Sequence, residues 1–297
     1  MTLPRVLITG MAGFTGHYLS KALTLAGYEV HGIGANPSQE ANYHQLDLAD
    51  VAAMRSLVAQ IQPTVVVHLA AIAFVGHADP EAFYQVNLIG THHLLSVLAE
   101  MAPNLECLLL VSSANIYGNS NAGVLHETQT PAPENDYAVS KLAMEHMAKL
   151  WLSKLPIVTA RPFNYTGVGQ AEQFLLPKIM GHFKRKEKQI ELGNLDVWRD
   201  FSDVRAVVAA YVGLIQSKPI GQVFNVCSGQ ATSLGQVLAV AEELAGYSID
   251  VSVNPAFVRP NEVKTLIGSA DRLKTVLPEW QTIPLRETLA WMFKTTE

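Results

Sequence analysis

The sequence predicts an α/β fold in which a doubly wound parallel sheet is joined to a smaller α/β lobe. Short, continuous apolar runs recur along the first half of the chain, as strands buried on both faces require. Stretches with helical spacing of apolar residues separate these runs, and such alternation favours parallel crossover units. A glycine-rich loop joins the first run to the first helix, at the position where such sheets bind ligands.

The predicted elements follow these patterns in chain order. Strands are predicted at 6–9, 28–33, 65–70, 108–111, 156–161 and 223–226, and helices at 16–25, 51–60, 81–100, 234–245 and 285–293. The alternation breaks after Asn164. We therefore assign 1–164, with 204–230 returning to it, to the sheet domain, and 165–203 with 231–297 to the second lobe.

The composition narrows the possible partners and compartments. Only 16% of the 297 residues are charged and the formal net charge is −5, which argues against nucleic acid or a membrane surface as partner. The basic run 184–188 lacks interleaved aromatic residues and is predicted to be a solvated helix end. Cys107 and Cys227 lie in apolar runs, as buried free thiols do. Without a long apolar stretch, a signal peptide or metal-ligand spacing, a cytoplasmic, metal-free protein is expected.

The glycine loop predicts a phosphate-binding turn. Gly10 allows a tight turn, Gly13 lets a pyrophosphate approach the backbone, and Gly16 lets the helix pack closely on the strand. The free N–H groups at the helix start, around Phe14 and Thr15, then face the anion. Because a strand precedes the loop and a helix follows it, dinucleotide binding is favoured over a plain tight turn, and the sheet domain is predicted to be Rossmann-type.

The cofactor is predicted to be NADP(H) or NAD(H). An acid at the end of the second strand would bond the ribose 2′-hydroxyl and repel a 2′-phosphate. That strand ends in Gly34-Ala35-Asn36, with neither an acid nor an arginine, so NADP(H) is permitted and slightly favoured. Asp47 could accept a hydrogen bond from the adenine amino group, and its alternative role is a helix N-cap within 47–50.

The stretch around Tyr137 predicts the chemistry. Tyr137 and Lys141 are four residues apart and share one helix face, with Asp136 as a possible cap of that helix. An adjacent ammonium is expected to lower the phenol pKa from its ordinary value near ~10, which would let Tyr137 exchange a proton with a sugar hydroxyl. Ser112 and Ser113 end the fourth strand, and a serine there could donate to the reacting oxygen. An ordinary amphipathic helix is the alternative.

These motifs occur in the order found in the extended short-chain dehydrogenase/reductase family, which the chain resembles over nearly its whole length. The resemblance implies that Ser113, Tyr137 and Lys141 are catalytic, with Ser112 as the alternative serine. It also implies that the junction 161–170 meets both cofactor and sugar nucleotide. Asn87 belongs to a further signature of the family. Other implied cofactor contacts are Asn36, Leu48, Leu69, Ala70, Ala71, Val111, Pro162 and Asn164, and implied substrate contacts are Ser112, Ala114, Asn115, Asn164 and Lys178.

Within this family, the C-terminal half resembles the branch that reduces GDP-4-keto-6-deoxy-D-mannose, at 198–205, 223–229 and 259–263. The resemblance implies a GDP-linked sugar as substrate, with Arg199 and Arg259 holding its diphosphate and Glu262 a hydroxyl. Arginine forks suit phosphate oxygens, which agrees with these roles. For Arg199, the alternative is a salt bridge with Asp200 or Asp203. That set of contacts predicts a nucleotide-sugar site in the second lobe.

One departure bears on the reaction. Dehydratases of the family carry an acidic pair after the catalytic serine or threonine, whereas this chain has Ala114 and Asn115, neither of which is a general acid or base. The pair resembles the Ser-Ala-Thr pattern of 4-epimerases. Three hypotheses therefore stand: a 4-ketoreductase, an epimerase that retains NAD, and a non-catalytic dinucleotide sensor. Family analogy also implies a homodimer formed by 80–98 and the Tyr137 helix.

Overall fold

A seven-stranded sheet forms the centre of the computed structural model, which describes residues 3–119, 123–258 and 263–295. In those ranges the strands are β1 Arg5–Thr9, β2 Glu29–Gly34, β3 Tyr43–Gln45, β4 Val65–His68, β5 Cys107–Val111, β6 Val124–Leu125, β7 Ile157–Pro162, β8 Asn164–Thr166, β9 Gln189–Leu192, β10 Trp198–Asp203, β11 Val223–Val226, β12 Ala231–Ser233, β13 Asp250–Val253 and β14 Thr265–Gly268. The helices are α1 Phe14–Leu25, α2 Val51–Ile61, α3 Pro80–Phe83, α4 Thr91–Met101, α5 Asp136–Lys149, α6 Leu175–Lys184, α7 Val204–Ser217, α8 Leu234–Ala245, α9 Asp271–Val276 and α10 Leu285–Lys294.

The main sheet has the order β11-β7-β5-β4-β1-β2-β3, and every neighbouring pair is parallel. The chain runs outward from β1 to β3 and then crosses to β4 on the other side of β1. A crevice therefore opens at the carboxyl ends of β1 and β4, where such sheets bind ligands. The predicted α/β class and parallel sheet are confirmed. β4 ends two residues earlier than predicted, because Leu69 N and Ala70 N turn to donate to Thr9.

Helices cover both faces of this sheet. One buried cluster joins the sheet to α1, α7 and α9, and a second joins it to α2, α4 and α5. A third cluster lies away from the sheet and joins α6, α8 and α10 to β9. The segment from Val263 to Trp280 packs with the first cluster, although it falls within the predicted second lobe. A two-lobed division remains a proposal, with its boundary less simple than the sequence pattern predicts.

The helix predicted at 81–100 is divided. Between α3 and α4 lies a π-helical segment, Tyr84–Gly90. Its i to i+5 hydrogen bonds make a wider turn than an α-helix, which changes the direction in which its side chains point. Asn87 lies in this segment and is fully buried. Its Oδ1 accepts from Ile72 N at 2.9 Å and its Nδ2 donates to Ser140 Oγ at 3.0 Å. The π segment therefore ties the loop after β4 to helix α5.

A smaller sheet has the order β12-β10-β14-β6, with β8 pairing with β10. The carboxylate of Asp200 on β10 is fully buried and accepts from Ser228 N, Ser228 Oγ and Gly229 N at 2.6–2.8 Å. These bonds fasten the loop after β11 to this sheet.

In the described part of the chain, helices that are both long and apolar enough to cross a bilayer are absent.

Candidate active site

The glycine loop forms a cradle at the crevice between β1 and β4. Gly10 has φ +73°, and a Cβ there would lie 2.9 Å from Ala70 N; a Cβ on Gly16 would lie 2.4 Å from Met11 O. Only glycine fits these positions because the obstructing atoms are backbone. Helix α1 has Gly13 as its N-cap, with neither a capping side chain nor an acid in its first turn. Its positive end is therefore suited to an anion.

Phe14 and Thr15, predicted as cofactor contacts, are engaged by another side chain. Thr15 Oγ1 lies 2.8 Å from Tyr165 Oη, and the Phe14 ring stacks on the Tyr165 ring at 6.2 Å between centroids. Helix α1 also begins at Phe14, two residues before the predicted start. Tyr165 belongs to the predicted junction 161–170, but its contact with the glycine loop was not predicted, because nothing in the local pattern shows that β8 returns to that loop. Any cofactor contact at these two residues would therefore use backbone N–H groups.

A cavity of about 310 Å³ continues from the cradle towards the end of β2 and the start of α4. Asp47, Leu48 and Ala70 line it, as predicted for cofactor contacts. The cap of α2 is Asp50, which accepts from Ala53 N at 2.9 Å, so the alternative role of Asp47 as that cap is wrong. Predicted Asn36 lies beside the lining residues, in the loop after β2. Lining residues that the sequence reasoning missed are Thr9, Ile33, Leu46, Ala49, Gln85, Val86, Ile89, Gly90 and His93.

Helix α5 carries the predicted catalytic pair, but its cap differs from the prediction. Asn135 has extended backbone and accepts from Ala138 N at 2.9 Å, so it is the N-cap. Asp136 is already helical, and its carboxylate accepts from Tyr84 Oη at 2.7 Å. The Asp136 cap is therefore wrong. The Tyr84 contact instead fastens the start of α5 to the π-helical segment.

Three predicted catalytic side chains meet at the end of β5. Tyr137 and Lys141 lie on the buried face of α5, and Ser113 follows β5 and shares a hydrogen bond with the Tyr137 phenol. Lys141 Nζ donates to Val111 O at 2.9 Å. The predicted cofactor contacts Leu69, Ala70, Ala71, Val111 and Pro162 all lie at or just after the carboxyl ends of β4, β5 and β7. The trio therefore faces the same edge of the sheet as the glycine cradle.

Burial is the largest influence on the pKa values of Tyr137 and Lys141. It raises the Tyr137 pKa to about 12, opposed by the hydrogen bond from Ser113. Burial also lowers the Lys141 pKa to about 8, opposed by the negative charge of Glu145. The expectation that the Tyr137 pKa lies below its ordinary value is wrong for this arrangement, because desolvation outweighs the groups that favour the phenolate. Tyr137 is therefore a proton donor at neutral pH.

A buried histidine that the sequence reasoning missed joins β1, β4 and α4. Thr91 Oγ1 donates to Asn87 O, so it accepts from His68 Nε2 at 2.7 Å, and His68 Nδ1 accepts from Thr9 Oγ1 at 2.7 Å. This pattern requires a neutral imidazole. Burial, assisted by the charge of Lys141, lowers the His68 pKa to about 3. His68 therefore fastens the strand ends that carry the cradle without itself changing charge near neutral pH.

The predicted substrate contacts around β5 differ in their surroundings. Ser112 is 2% exposed, and its Oγ has no hydrogen-bond partner among the described residues. Ala114 is buried, whereas Asn115 is partly exposed and donates from Nδ2 to Ser113 Oγ at 3.2 Å. Asn164 is exposed at the start of β8. Of these four, Asn115 is the residue whose side chain forms a hydrogen bond with a predicted catalytic residue in the described part of the chain.

Two predicted substrate contacts of the second lobe, Lys178 and Arg199, are oriented by backbone carbonyls. Lys178 Nζ donates to Glu191 O at 2.6 Å and lies 4.3 Å from the centroid of the Phe257 ring. Arg199 Nη1 donates to Trp198 O at 3.0 Å and to Lys264 O at 3.1 Å. The alternative partners of Arg199 are bound elsewhere. Asp200 binds the loop after β11 and Asp203 binds Arg205 at 2.7 Å, while the predicted contacts Arg259 and Glu262 lie outside the described residues.

Arg161 was expected in a junction that meets both ligands, and that expectation is wrong for its side chain. Arg161 is 6% exposed and points into the protein, where Nε and Nη2 bind the two carboxylate oxygens of Glu145 at 3.0 and 2.7 Å. Its Nη1 donates to Tyr117 Oη at 2.8 Å. The carboxylate on α5 requires a counter-charge inside the protein, and Arg161 supplies it.

Comparison with known proteins places the chain among enzymes of nucleotide-sugar metabolism. A family described as GDP-mannose 4,6 dehydratase matches residues 7–292. A GDP-6-deoxy-D-talose 4-dehydrogenase from Aggregatibacter actinomycetemcomitans is 33% identical, over 98% of this chain and 97% of that protein. A GDP-6-deoxy-D-mannose reductase from Pseudomonas aeruginosa is 31% identical, over 96% of this chain and 94% of that protein.

Solved structures agree with the fold. RMD from Pseudomonas aeruginosa, solved with NADPH, is 30% identical with a TM-score of 0.86, over 98% of each chain. A protein from Burkholderia cenocepacia J2315, provisionally named an epimerase, is 52% identical with a TM-score of 0.91, over 98% of this chain and 97% of that one. Both similarities extend across the sheet domain and the C-terminal part.

Proposed function

This chain belongs to the GDP-mannose 4,6-dehydratase family of extended short-chain dehydrogenases/reductases, and from that premise we propose that it is an NAD(P)H-dependent 4-ketoreductase. The proposed substrate is GDP-4-keto-6-deoxy-D-mannose, and the product is GDP-D-rhamnose or its C4 epimer, GDP-6-deoxy-D-talose. One observation carries the proposal: Ser113, Tyr137 and Lys141 meet at the sheet edge that also holds the glycine cradle. The names of two relatives, which act on GDP-linked 6-deoxyhexoses, support the substrate.

The residues present fit a nicotinamide dinucleotide. The glycine cradle and the uncapped start of α1 suit a pyrophosphate, and the adjoining cavity, lined by Asp47 and Leu48, suits an adenine base. When bound, NAD(P)H supplies the hydride. Ala35 and Asn36 follow β2 where a ribose-binding acid would exclude a 2′-phosphate, so we propose that both cofactors are accepted and NADPH is preferred. The ratio of kcat/KM for NADPH and NADH measures this preference.

The chain's own residues then control the proton. Tyr137 keeps its proton because burial holds its pKa near 12, so it can donate to the oxygen that becomes the C4 hydroxyl. Ser113 donates to the same oxygen and polarises the carbonyl. Lys141 places a positive charge in the buried site and stabilises the phenolate left after proton transfer. Each group thus has one role in a single proton transfer.

Dehydration is not part of the proposed activity. Removing the C5 proton and the C6 hydroxyl requires a carboxyl group near the sugar. The two positions after Ser113 hold the methyl group of Ala114 and the carboxamide of Asn115, and Asn115 is bound to Ser113 Oγ at 3.2 Å. The family name alone therefore does not decide the reaction.

In the second lobe, Lys178 and Arg199 are proposed to hold the diphosphate.

The decisive experiment supplies GDP-4-keto-6-deoxymannose with NADPH or NADH and follows cofactor oxidation. The expected result is oxidation of one equivalent of cofactor for each GDP-6-deoxyhexose formed. GDP-mannose, which has no ketone, is the matched control and should give none. Absence of oxidation with both cofactors would overturn the proposed substrate and return the question to other nucleotide sugars.

A 4-epimerase is the second candidate. The Ser113-Ala114 sequence resembles epimerase sites, and the provisional name of the 52% identical Burkholderia protein points the same way. An epimerase keeps NAD and regenerates it in each cycle, whereas a reductase releases the oxidised cofactor. Cofactor released from the purified, denatured protein therefore separates the two candidates: one NAD per chain favours the epimerase.

The homodimer through 80–98 and α5 remains a prediction.

Turnover in the reductive direction is expected to decline above about pH 8. Burial lowers the Lys141 pKa to about 8, so the ammonium is charged below that pH and neutral above it. Tyr137 stays protonated over the same range, so its own titration does not produce the decline. Loss of the ammonium removes the charge that stabilises the phenolate. A plot of log kcat/KM against pH should show one descending limb.

Lys141→Arg is the matched variant for this pH profile, because a guanidinium stays charged throughout. Its rate should be lower at every pH, since the longer side chain is poorly accommodated in a buried site, but the limb near pH 8 should disappear. A limb that persists at the same pH in Lys141→Arg would assign the titration to another group.

A further inference from the structure

Asn115 stands where family dehydratases carry an acid, and here its side chain acts on Ser113. Ser113 is the cap of a short 3₁₀ helix, Ala114–Tyr117, and its Oγ accepts from Asn115 N at 3.1 Å. Any residue other than proline at position 115 could supply that backbone bond. The second bond, from Asn115 Nδ2 to Ser113 Oγ at 3.2 Å, requires a donor side chain. The serine oxygen therefore accepts two N–H groups from one residue.

This arrangement determines the direction of the Ser113 hydrogen bond. A hydroxyl has two acceptor lone pairs and one proton, so an oxygen that accepts twice is left only with its proton to offer. The remaining partner of Ser113 is Tyr137, whose pKa the serine lowers by favouring the charged form. Ser113 thus donates towards the phenol, at the position where a substrate oxygen would also be bound.

We propose that Asn115 is a positioning residue that makes Ser113 an obligate hydrogen-bond donor to the reacting oxygen. The inference rests on the proposed ketoreductase function, because only a carbonyl or its developing alkoxide needs such a donor. It replaces the expectation that Asn115 is a substrate contact. The departure from the dehydratase pattern then has two effects. Asn115 takes the place of an acidic residue, and its amide adds a hydrogen-bond donor at the same position.

Asn115→Asp tests the donor requirement, because it keeps the side-chain shape but replaces the donor with an acceptor. The new carboxylate would take the Ser113 proton for itself. We expect kcat to fall about 10²-fold or more, approaching the loss from Ser113→Ala, as removal of one oxyanion donor does, while KM stays within about threefold. Asn115→Ala removes the bond but leaves Ser113 free to donate, so its loss should be clearly smaller. Equal losses in the two variants, or a change mainly in KM, would overturn the inference.

The double variant Ser113→Ala/Asn115→Asp separates a positioning role from a direct one. If Asn115 acts through Ser113, replacing Asn115 should change kcat little once the serine hydroxyl is absent, and the two losses should be strongly non-additive. Full additivity would mean that Asn115 contacts the substrate directly and would overturn the proposal. Far-UV circular dichroism and the unfolding midpoint of every variant check that the fold is retained.

A readout without substrate distinguishes failure of this inference from failure of the proposed function. With asparagine labelled by ¹⁵N, the side-chain amide signal of Asn115 is assigned by its loss in Asn115→Ala. Ser113→Ala should shift that signal and speed its hydrogen exchange, because the acceptor is gone. An unchanged signal would show that the Asn115–Ser113 bond is absent, whatever the substrate proves to be. A shifted signal together with no reaction on GDP-4-keto-6-deoxymannose would overturn only the proposed substrate.

Discussion

Tyr137→Phe is expected to lower kcat by about 10² to 10⁴-fold, the usual contribution of a positioned general acid. The substitution removes only the hydroxyl that donates the proton. The ring is 7% exposed and packs against Phe83 at 5.9 Å between centroids, and phenylalanine keeps that packing. Binding of the nucleotide sugar should therefore be retained. Steady-state kinetics and calorimetric titration with GDP-6-deoxyhexose product measure the two effects separately.

Tyr247→Phe is the matched control for this prediction. The Tyr247 hydroxyl donates to Glu187 O at 3.0 Å within the C-terminal lobe, and its ring packs on Phe183. Removing the hydroxyl deletes its contacts with two backbone carbonyls, Glu187 O and Phe183 O, without touching the trio, so kcat should stay within about twofold, the effect expected of a surface change. If Tyr137→Phe retained turnover comparable with this control, the proton-transfer role of Tyr137 would be refuted.

Arg161→Leu is expected to destabilise the protein by about 3–5 kcal/mol, the cost of removing one partner of a buried ion pair. Its guanidinium makes both bonds of a bidentate contact with Glu145, and the two side chains are 7% and 3% exposed. Leucine leaves the carboxylate of Glu145 inside the protein without its counter-charge. It also removes a donor to the Tyr117 hydroxyl. Urea unfolding at neutral pH, analysed by linear extrapolation, measures the loss.

Arg55→Leu provides the comparison, because Arg55 pairs with Glu100 where both side chains are about half exposed, at 46% and 49%. Solvent screens such a pair, so the expected loss is at most about 1 kcal/mol. A similar small loss for Arg161→Leu, accompanied by a higher KM for nucleotide sugar, would instead support the sequence-based placement of Arg161 at the ligand junction.

The parts of the fold that could be predicted from the sequence are those with a local signal. Buried parallel strands appear as continuous apolar runs, so six strands of the main sheet were predictable within a few residues, whereas the short, less buried edge strand β3 has no such run. The glycine loop was recognisable because each glycine is required by local steric constraints, such as the positive φ at Gly10. Tyr137 and Lys141 were placed on one face of α5 by helical spacing alone.

Predictions failed where a side chain's partner lies far along the chain. Thr15 binds Tyr165, which is 150 residues away, and His68 bridges Thr9 and Thr91. No local pattern links such positions, because long-range pairs form only when the sheet brings its strand ends together. The cap at Asn135 failed for a smaller reason: two adjacent residues can both cap, and only the observed backbone angles decide between them.

By itself the sequence determined the order of six of the seven strands of the main sheet, the glycine cradle and the chemical identity of the trio, because these depend on residue type and short-range spacing. The tertiary structure alone decided which groups are desolvated. Burial raises the Tyr137 pKa and lowers that of Lys141, and it turns Arg161 inward to neutralise Glu145. The desolvation of a group depends on all the atoms packed around it, most of which come from distant parts of the chain. It therefore cannot be calculated from neighbours in sequence.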